Sequence, residues 1–180
     1  MENISSRTLS IVYCGAFVAL IAICSWISIP LTIPFTLQTF AVCLTTALLG
    51  IKRGTATVLV YIILGLVGVP VFSGFKGGVG VLFGPTGGYI IGFIFTAIIV
   101  GIITEKCGKS YVVLAIAMII GLAICYVFGT VWFINVYTKS KEPVGVMTAL
   151  SWCVFPYLIP DLIKIAIATV LTKRLERFIK

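Results

Sequence analysis

Apolar residues fill six long stretches of the chain, and short polar or glycine-rich segments separate them. A transmembrane helix needs about 20 predominantly apolar residues, so this pattern predicts six membrane-spanning helices. Pro156 and Pro160 interrupt the sixth, which a membrane helix tolerates where neighbouring protein or water satisfies the freed carbonyls. The predicted spans are about 9–28, 37–51, 54–71, 86–104, 111–136 and 150–175.

Composition supports this interpretation and excludes several classes of protein. Of the 180 residues, 61% are hydrophobic and 10% are charged, whereas soluble domains are about half apolar and a quarter charged. A water-soluble enzyme, a disordered chain and a nucleic-acid-binding domain are therefore excluded. We predict an all-α integral membrane protein, a six-transmembrane-helix bundle that forms a single membrane domain over residues 1–180.

The positive charges predict the orientation of the bundle, because cytoplasmic loops carry an excess of Lys and Arg. Nine basic residues fall on one side of the predicted membrane, and three, Lys76, Lys139 and Lys141, fall on the other. We therefore expect a multi-pass protein of the cell membrane, with both termini in the cytoplasm and the loops 29–36, 70–85 and 137–148 outside. The nine are Arg7, Lys52, Arg53, Lys106, Lys109, Lys173, Arg174, Arg177 and Lys180.

Two charged residues, Asp161 and Lys164, lie inside a predicted span. They are three residues apart, so a helix places them on the same face. Each costs about 2.5–3.5 kcal/mol at the bilayer centre on insertion scales, and such residues usually face a bundle interior or a cavity. The pair is either a packing feature or a binding site for a polar ligand, and the sequence favours the binding site.

A glycine-rich segment, 65–88, holds nine of the chain's eighteen glycines. Glycine lets the backbone approach a ligand closely, and Pro85 suits the first turn of a helix. The N–H groups of Thr86, Gly87 and Gly88 would then point toward a polar or anionic ligand group. The alternative is a flexible lid or a plain connector. Phe72 and Phe75, in the same segment, are candidates for a lid or a cavity wall.

The sequence contains no complete ATPase motif that could supply the energy for uphill transport. Gly108, Lys109 and Ser110 match the end of a P-loop, but position 103 is isoleucine where the motif requires its first glycine. The sequence contains no histidine, the commonest general base and metal ligand, so neither a metal site nor a catalytic base is evident. All six cysteines but Cys107 fall in apolar stretches, and we interpret such scattered cysteines as buried thiols.

Small residues at Gly15, Ala19 and Ala22 form a stripe on the first predicted helix, where another helix can approach closely. That helix belongs either to this chain or to a partner. Trp26, Trp132 and Trp152 fall near the outer ends of spans, where they form either an interfacial belt or an apolar wall for a ring-shaped ligand.

Three sequence blocks together resemble one known family. The first is IPFTLQTFAV (33–42), continuing to GIKRG (50–54). The second is GLVGVPVFSG (65–74), with Gly77-Gly78 and GPTGGYIIGF (84–93), and the third is DLIK (161–164). With these blocks the chain resembles the BioY family, the biotin-binding S components of energy-coupling-factor (ECF) vitamin transporters.

The resemblance implies an S-component-like fold that binds biotin from the outside, without a cofactor of its own. It also implies partners: a transmembrane coupling protein and two ATPase subunits, which use the ATP. Gly15, Ala19 and Ala22 lie where S components carry an Ala-x-x-x-Ala coupling surface, here with glycine in the first position. The implied substrate-binding residues are Asp161, Lys164, Gln38, Phe72, Gly74, Phe75, Gly78, Thr86, Gly87 and Tyr89.

Three alternatives remain at this point. The chain could be an S component for another vitamin, such as riboflavin or thiamine, although the glycine-rich block argues against it. A small membrane enzyme would need a nucleophile–base pair or a metal cluster, which the sequence does not offer. A channel would need rings of charge or of carbonyls, and these are not evident either.

Overall fold

The computed structural model describes residues 4–140 and 143–178. In this part of the chain there are seven helices and one two-stranded sheet. The elements are α1 (Ile4–Trp26), β1 (Ser28–Ile29), β2 (Phe35–Thr36), α2 (Gln38–Leu66), α3 (Val79–Leu82), α4 (Gly87–Cys107), α5 (Tyr111–Ser140), α6 (Val146–Cys153) and α7 (Phe155–Leu175).

Five of the described helices are long and apolar enough to cross a membrane, which makes the chain a multi-pass membrane protein. Six separate helices were predicted, but the span 37–51 and most of the span 54–71 belong to one element, α2. The five are Arg7–Trp26, Gln38–Leu66, Gly87–Cys107, Tyr111–Lys139 and Phe155–Leu175.

Helix α2 turns back on itself at Gly50, whose φ of 77° and ψ of −179° are not helical. The Gln38 side-chain amide donates to the Tyr61 hydroxyl at 2.6 Å, whereas 23 residues of straight helix would separate them by about 35 Å. The first arm of α2 (38–49) and the second arm (51–66) therefore run antiparallel. They pack closely at Gly54, where an added Cβ would lie 2.8 Å from the Thr46 Cα.

Two residues, one near the C-terminal end of α4 and one just after it, form hydrogen bonds to the turn between the two arms. The Ile51 N–H donates to the Glu105 carboxylate at 2.8 Å, and the Lys109 ammonium donates to the Leu48 carbonyl at 3.3 Å. These bonds satisfy backbone groups that the break at Gly50 leaves without helical partners. Burial lowers the pKa of Lys109 from its ordinary value.

Two further features differ from the predicted fold. The predicted span 150–175 is divided at Val154 (φ −125°, ψ −59°) into α6 and α7. The fold is all-helical as predicted apart from one short hairpin, in which Ser28 pairs with Thr36 and Ile29 with Phe35 in antiparallel register. This hairpin lies in the predicted outer loop 29–36 and supplies part of the site.

Helix α4 is central, packing against both α5 and α2. Glycines on α4 permit the close approach: Gly92 faces Cys125, and Gly101 faces Ile51. Buried apolar side chains form two clusters. The larger one includes Phe72, Tyr89 and Tyr157 and surrounds the cavity described next.

Candidate ligand-binding site

A cavity of about 450 Å³ lies among the hairpin, the start of α2, the glycine-rich segment and α4, α5 and α7. Sites between the helices of a bundle are a common location for small-molecule ligands. The wall is mostly apolar, and its charged residues are Lys76, Asp161 and Lys164.

Asp161 and Lys164 form an ion pair at the cavity, with 2.7 Å between Lys164 Nζ and Asp161 Oδ1. The two residues are only 3% and 6% exposed. They are neighbours on one face of α7 because they are three residues apart. A buried pair is weak evidence for stability, since apolar replacements often do as well.

Two side chains and one backbone carbonyl from other parts of the chain complete this polar network. The Thr39 hydroxyl donates to Asp161 Oδ1 at 3.0 Å and accepts from Lys164 Nζ at 3.3 Å. The Thr36 carbonyl accepts from Nζ at 2.6 Å, and the Tyr126 hydroxyl donates to Asp161 Oδ2. All three ammonium protons therefore have an acceptor, while the carboxylate retains lone pairs.

Aromatic rings cover the cationic end of the pair. The Phe35 ring centroid lies 4.1 Å from Lys164 Nζ, a favourable cation–π distance. Tyr157 stacks on Phe35 at 6.2 Å between centroids, and its hydroxyl donates to the Ile33 carbonyl. These contacts attach the β1–β2 hairpin to α7 beside the ion pair.

Six of the ten predicted substrate-binding residues line the cavity: Gln38, Phe72, Thr86, Tyr89, Asp161 and Lys164. Sequence reasoning missed Thr39 and Tyr126. Both are polar residues in otherwise apolar stretches, and such hydroxyls give no signal until the helix registers are known.

The other four predicted residues, Gly74, Phe75, Gly78 and Gly87, do not line the cavity. Phe75 is 65% exposed and stacks on Trp26 at 5.0 Å between centroids. The loop also uses its own amides: the Gly78 N–H donates to the Gly65 carbonyl and the Gly87 N–H to the Gly84 carbonyl. These two N–H groups therefore already have backbone acceptors.

The glycine-rich segment is held in place from both sides. The Trp26 indole N–H donates to the Pro70 carbonyl at 2.9 Å, and the Trp132 indole N–H donates to the Gly84 carbonyl at 3.0 Å. Phe72 fills the space beside Gly65. The segment is therefore a packed part of the cavity wall, and two of the three tryptophans bind it.

The small-residue stripe of α1 is only partly on the surface. Gly15 and Ala19 are exposed, and nothing lies within 4 Å of the position that a Cβ at Gly15 would take. Ala22 is 5% exposed and belongs to the core. The predicted three-residue surface therefore reduces to Gly15 and Ala19, because the helix turns Ala22 toward the bundle.

Comparisons with known proteins agree with one another. The model of the BioY family matches residues 1–180. A protein named biotin transporter BioY from Thermotoga maritima is 43% identical over 91% of this chain and 93% of its own. A probable biotin transporter BioY from Pyrococcus horikoshii is 37% identical over 89% and 91%, respectively.

A solved structure shares the fold. It is a crystal structure of the S component for biotin from an ECF-type ABC transporter, with a TM-score of 0.87 and 27% sequence identity. The match covers 98% of this chain and 95% of the other.

Proposed function

Because this chain belongs to the BioY family, we propose that it is the substrate-binding S component for biotin uptake by an ECF transporter. The observation that carries the proposal is the cavity of about 450 Å³ with a buried Asp161–Lys164 pair on its wall. Intramembrane ionisable residues usually mark a functional site. The names of the relatives and of the structural neighbour supply the substrate.

The chemistry of biotin suits this wall. Its ureido ring is neutral and rich in donors and acceptors, and Asp161 retains lone pairs that can accept ureido N–H groups. Its thioether ring is apolar, which suits a wall that includes Phe72, Phe93 and Tyr89. We propose that Gln38 and Thr86, which also line the cavity, are further substrate contacts.

The rest of the transporter lies in other chains under this proposal. A transmembrane coupling protein and two ATPases supply the energy, and this chain is neither an enzyme nor dependent on a cofactor. Counting the two arms of α2 separately gives six membrane segments. The excess of basic residues at 52–53, 106–109 and 173–180 supports a cytoplasmic location for both termini in the cell membrane.

Retention of labelled biotin by the purified protein, without ATP or partners, tests the proposal. We expect stoichiometric retention that unlabelled biotin displaces and that riboflavin and thiamine do not. No retention at micromolar biotin would overturn the assignment. Displacement by another vitamin at lower concentration than biotin would instead reassign the substrate.

A further inference from the structure

Lys76 is the one charged residue of the cavity wall outside the Asp161–Lys164 pair. It is exposed and follows a turn in which Gly74 and Phe75 both have positive φ, 71° and 56°. Two backbone hydrogen bonds with Phe72, of 2.9 and 3.3 Å, close this turn. The backbone that carries Lys76 is therefore fixed at the edge of the cavity.

The side chain of Lys76 is not paired. Its Cε lies 3.8 Å from the position that a Cβ at Gly74 would take, so the stem passes over the turn. Among the residues that the structure describes, its ammonium has neither a hydrogen-bond acceptor nor an ion-pair partner. An ammonium group offers three donors, and here all three are available to a ligand.

Lys164 cannot serve an anionic ligand group in the same way. Its three protons already reach Asp161, Thr36 and Thr39. An anion placed beside it would also lie next to the Asp161 carboxylate, and like charges at such distances repel. The inner network therefore suits a neutral polar group, and Lys76 is the cation of the same cavity that has no carboxylate partner among the described residues.

We propose that Lys76 binds the carboxylate of the ligand tail, while the neutral ureido ring lies against the Asp161–Lys164 network. This rests on the proposed function, because it takes biotin as the ligand. It fixes the direction in which biotin enters, with the ring first and the carboxylate at the glycine-rich segment. It also makes Lys76 a specificity residue that separates biotin from esters and amides of biotin.

Binding of biotin and of biotin methyl ester to the wild type and to Lys76→Gln tests this. Glutamine keeps a polar side chain, one atom shorter than that of lysine, and removes its charge. A hydrogen bond to a charged group corresponds to about 10- to 100-fold in affinity, so we expect Lys76→Gln to bind biotin weaker by that factor. The ester carries no carboxylate, and its affinity should stay within about twofold.

Two further variants sharpen the measurement. Lys76→Arg keeps the charge and should restore most of the biotin affinity. Lys139→Gln removes another predicted outer lysine, which does not line the cavity, and should change neither ligand. If Lys76→Gln weakened the binding of biotin and of the ester equally, or weakened neither, the proposed role of Lys76 would be overturned. The proposal that the chain binds biotin would still stand. Failure of the wild type to bind biotin would overturn both proposals.

Discussion

Thr39 Oγ1 lies 3.0 Å from Asp161 Oδ1, although the two residues are 122 positions apart in the chain. The same hydroxyl accepts a hydrogen bond from Lys164, so Thr39 joins the first arm of α2 to both members of the ion pair. The bond sets the position of the Asp161 carboxylate relative to the hairpin and the start of α2. Binding should therefore depend on a residue that does not itself carry charge.

Replacing Thr39 with valine removes the hydroxyl and keeps the shape of the side chain. We expect biotin affinity to fall about tenfold, the scale of one hydrogen bond to a charged group, because Asp161 and Lys164 lose a common partner. Equilibrium binding measures the change. Thr39→Ser keeps the hydroxyl and should bind nearly as the wild type does; if serine and valine variants bind equally, the hydrogen bond is not what positions the pair.

The ion pair itself can be separated into its effects on folding and on binding. Asp161→Asn or Lys164→Ala leaves one buried charge without its partner, a change that costs about 3–5 kcal/mol in buried pairs. We expect each single variant to lower the thermal unfolding temperature and to weaken biotin binding. The double variant Asp161→Asn/Lys164→Met has no net buried charge and should recover much of the stability.

Biotin binding should remain weak in that double variant. Thermal unfolding in detergent and labelled-biotin retention, measured on the same preparations, distinguish the two effects. A stable double variant that binds biotin as the wild type does would show that the pair only supports packing.

Some of this site could be predicted from the sequence, because charges inside an apolar stretch are conspicuous. Asp161 and Lys164 stand out for that reason, and Lys52 and Arg53 indicate the interruption near which α2 reverses. Thr39 and Tyr126 could not be found in this way. Their hydroxyls are compatible with lipid-facing, core or site positions, and only the packing of the helices decides among these.

The short elements were also beyond prediction. Two residues in each strand of the hairpin give no periodic pattern, and the loop amides of Gly78 and Gly87 could equally have faced a ligand or the backbone. The structure settles this through close packing, since Phe72 lies against Gly65 and fixes the path of the segment.

Gly50 should be required for the reversal of α2. Its φ of 77° and ψ of −179° lie in a region that is essentially restricted to glycine, and other residues pay about 1–3 kcal/mol to occupy it. An added Cβ would also lie 2.9 Å from Glu105 Oε1. We therefore expect Gly50→Ala to lower the free energy of unfolding by about 1–3 kcal/mol.

Gly145 provides a matched control for this substitution. Its φ is −68°, and nothing lies within 4 Å of its Cβ position, so Gly145→Ala should leave stability nearly unchanged. Thermal or denaturant unfolding of the two variants makes the comparison. Equal stability of both would contradict the importance of the turn at Gly50.

The exposed part of the α1 stripe should matter for assembly and not for ligand binding. Gly15 and Ala19 leave a shallow surface that lets another helix approach closely, and both lie outside the cavity wall. Gly15→Leu should therefore reduce co-purification with the coupling protein and ATPases while biotin retention by the isolated chain stays unchanged.

Ala16→Leu adds similar bulk one position away on the exposed surface of α1 and should disturb assembly less, because residue 16 points about 100° away from residue 15. Full co-purification of the Gly15→Leu variant would mean that the coupling module uses a different surface.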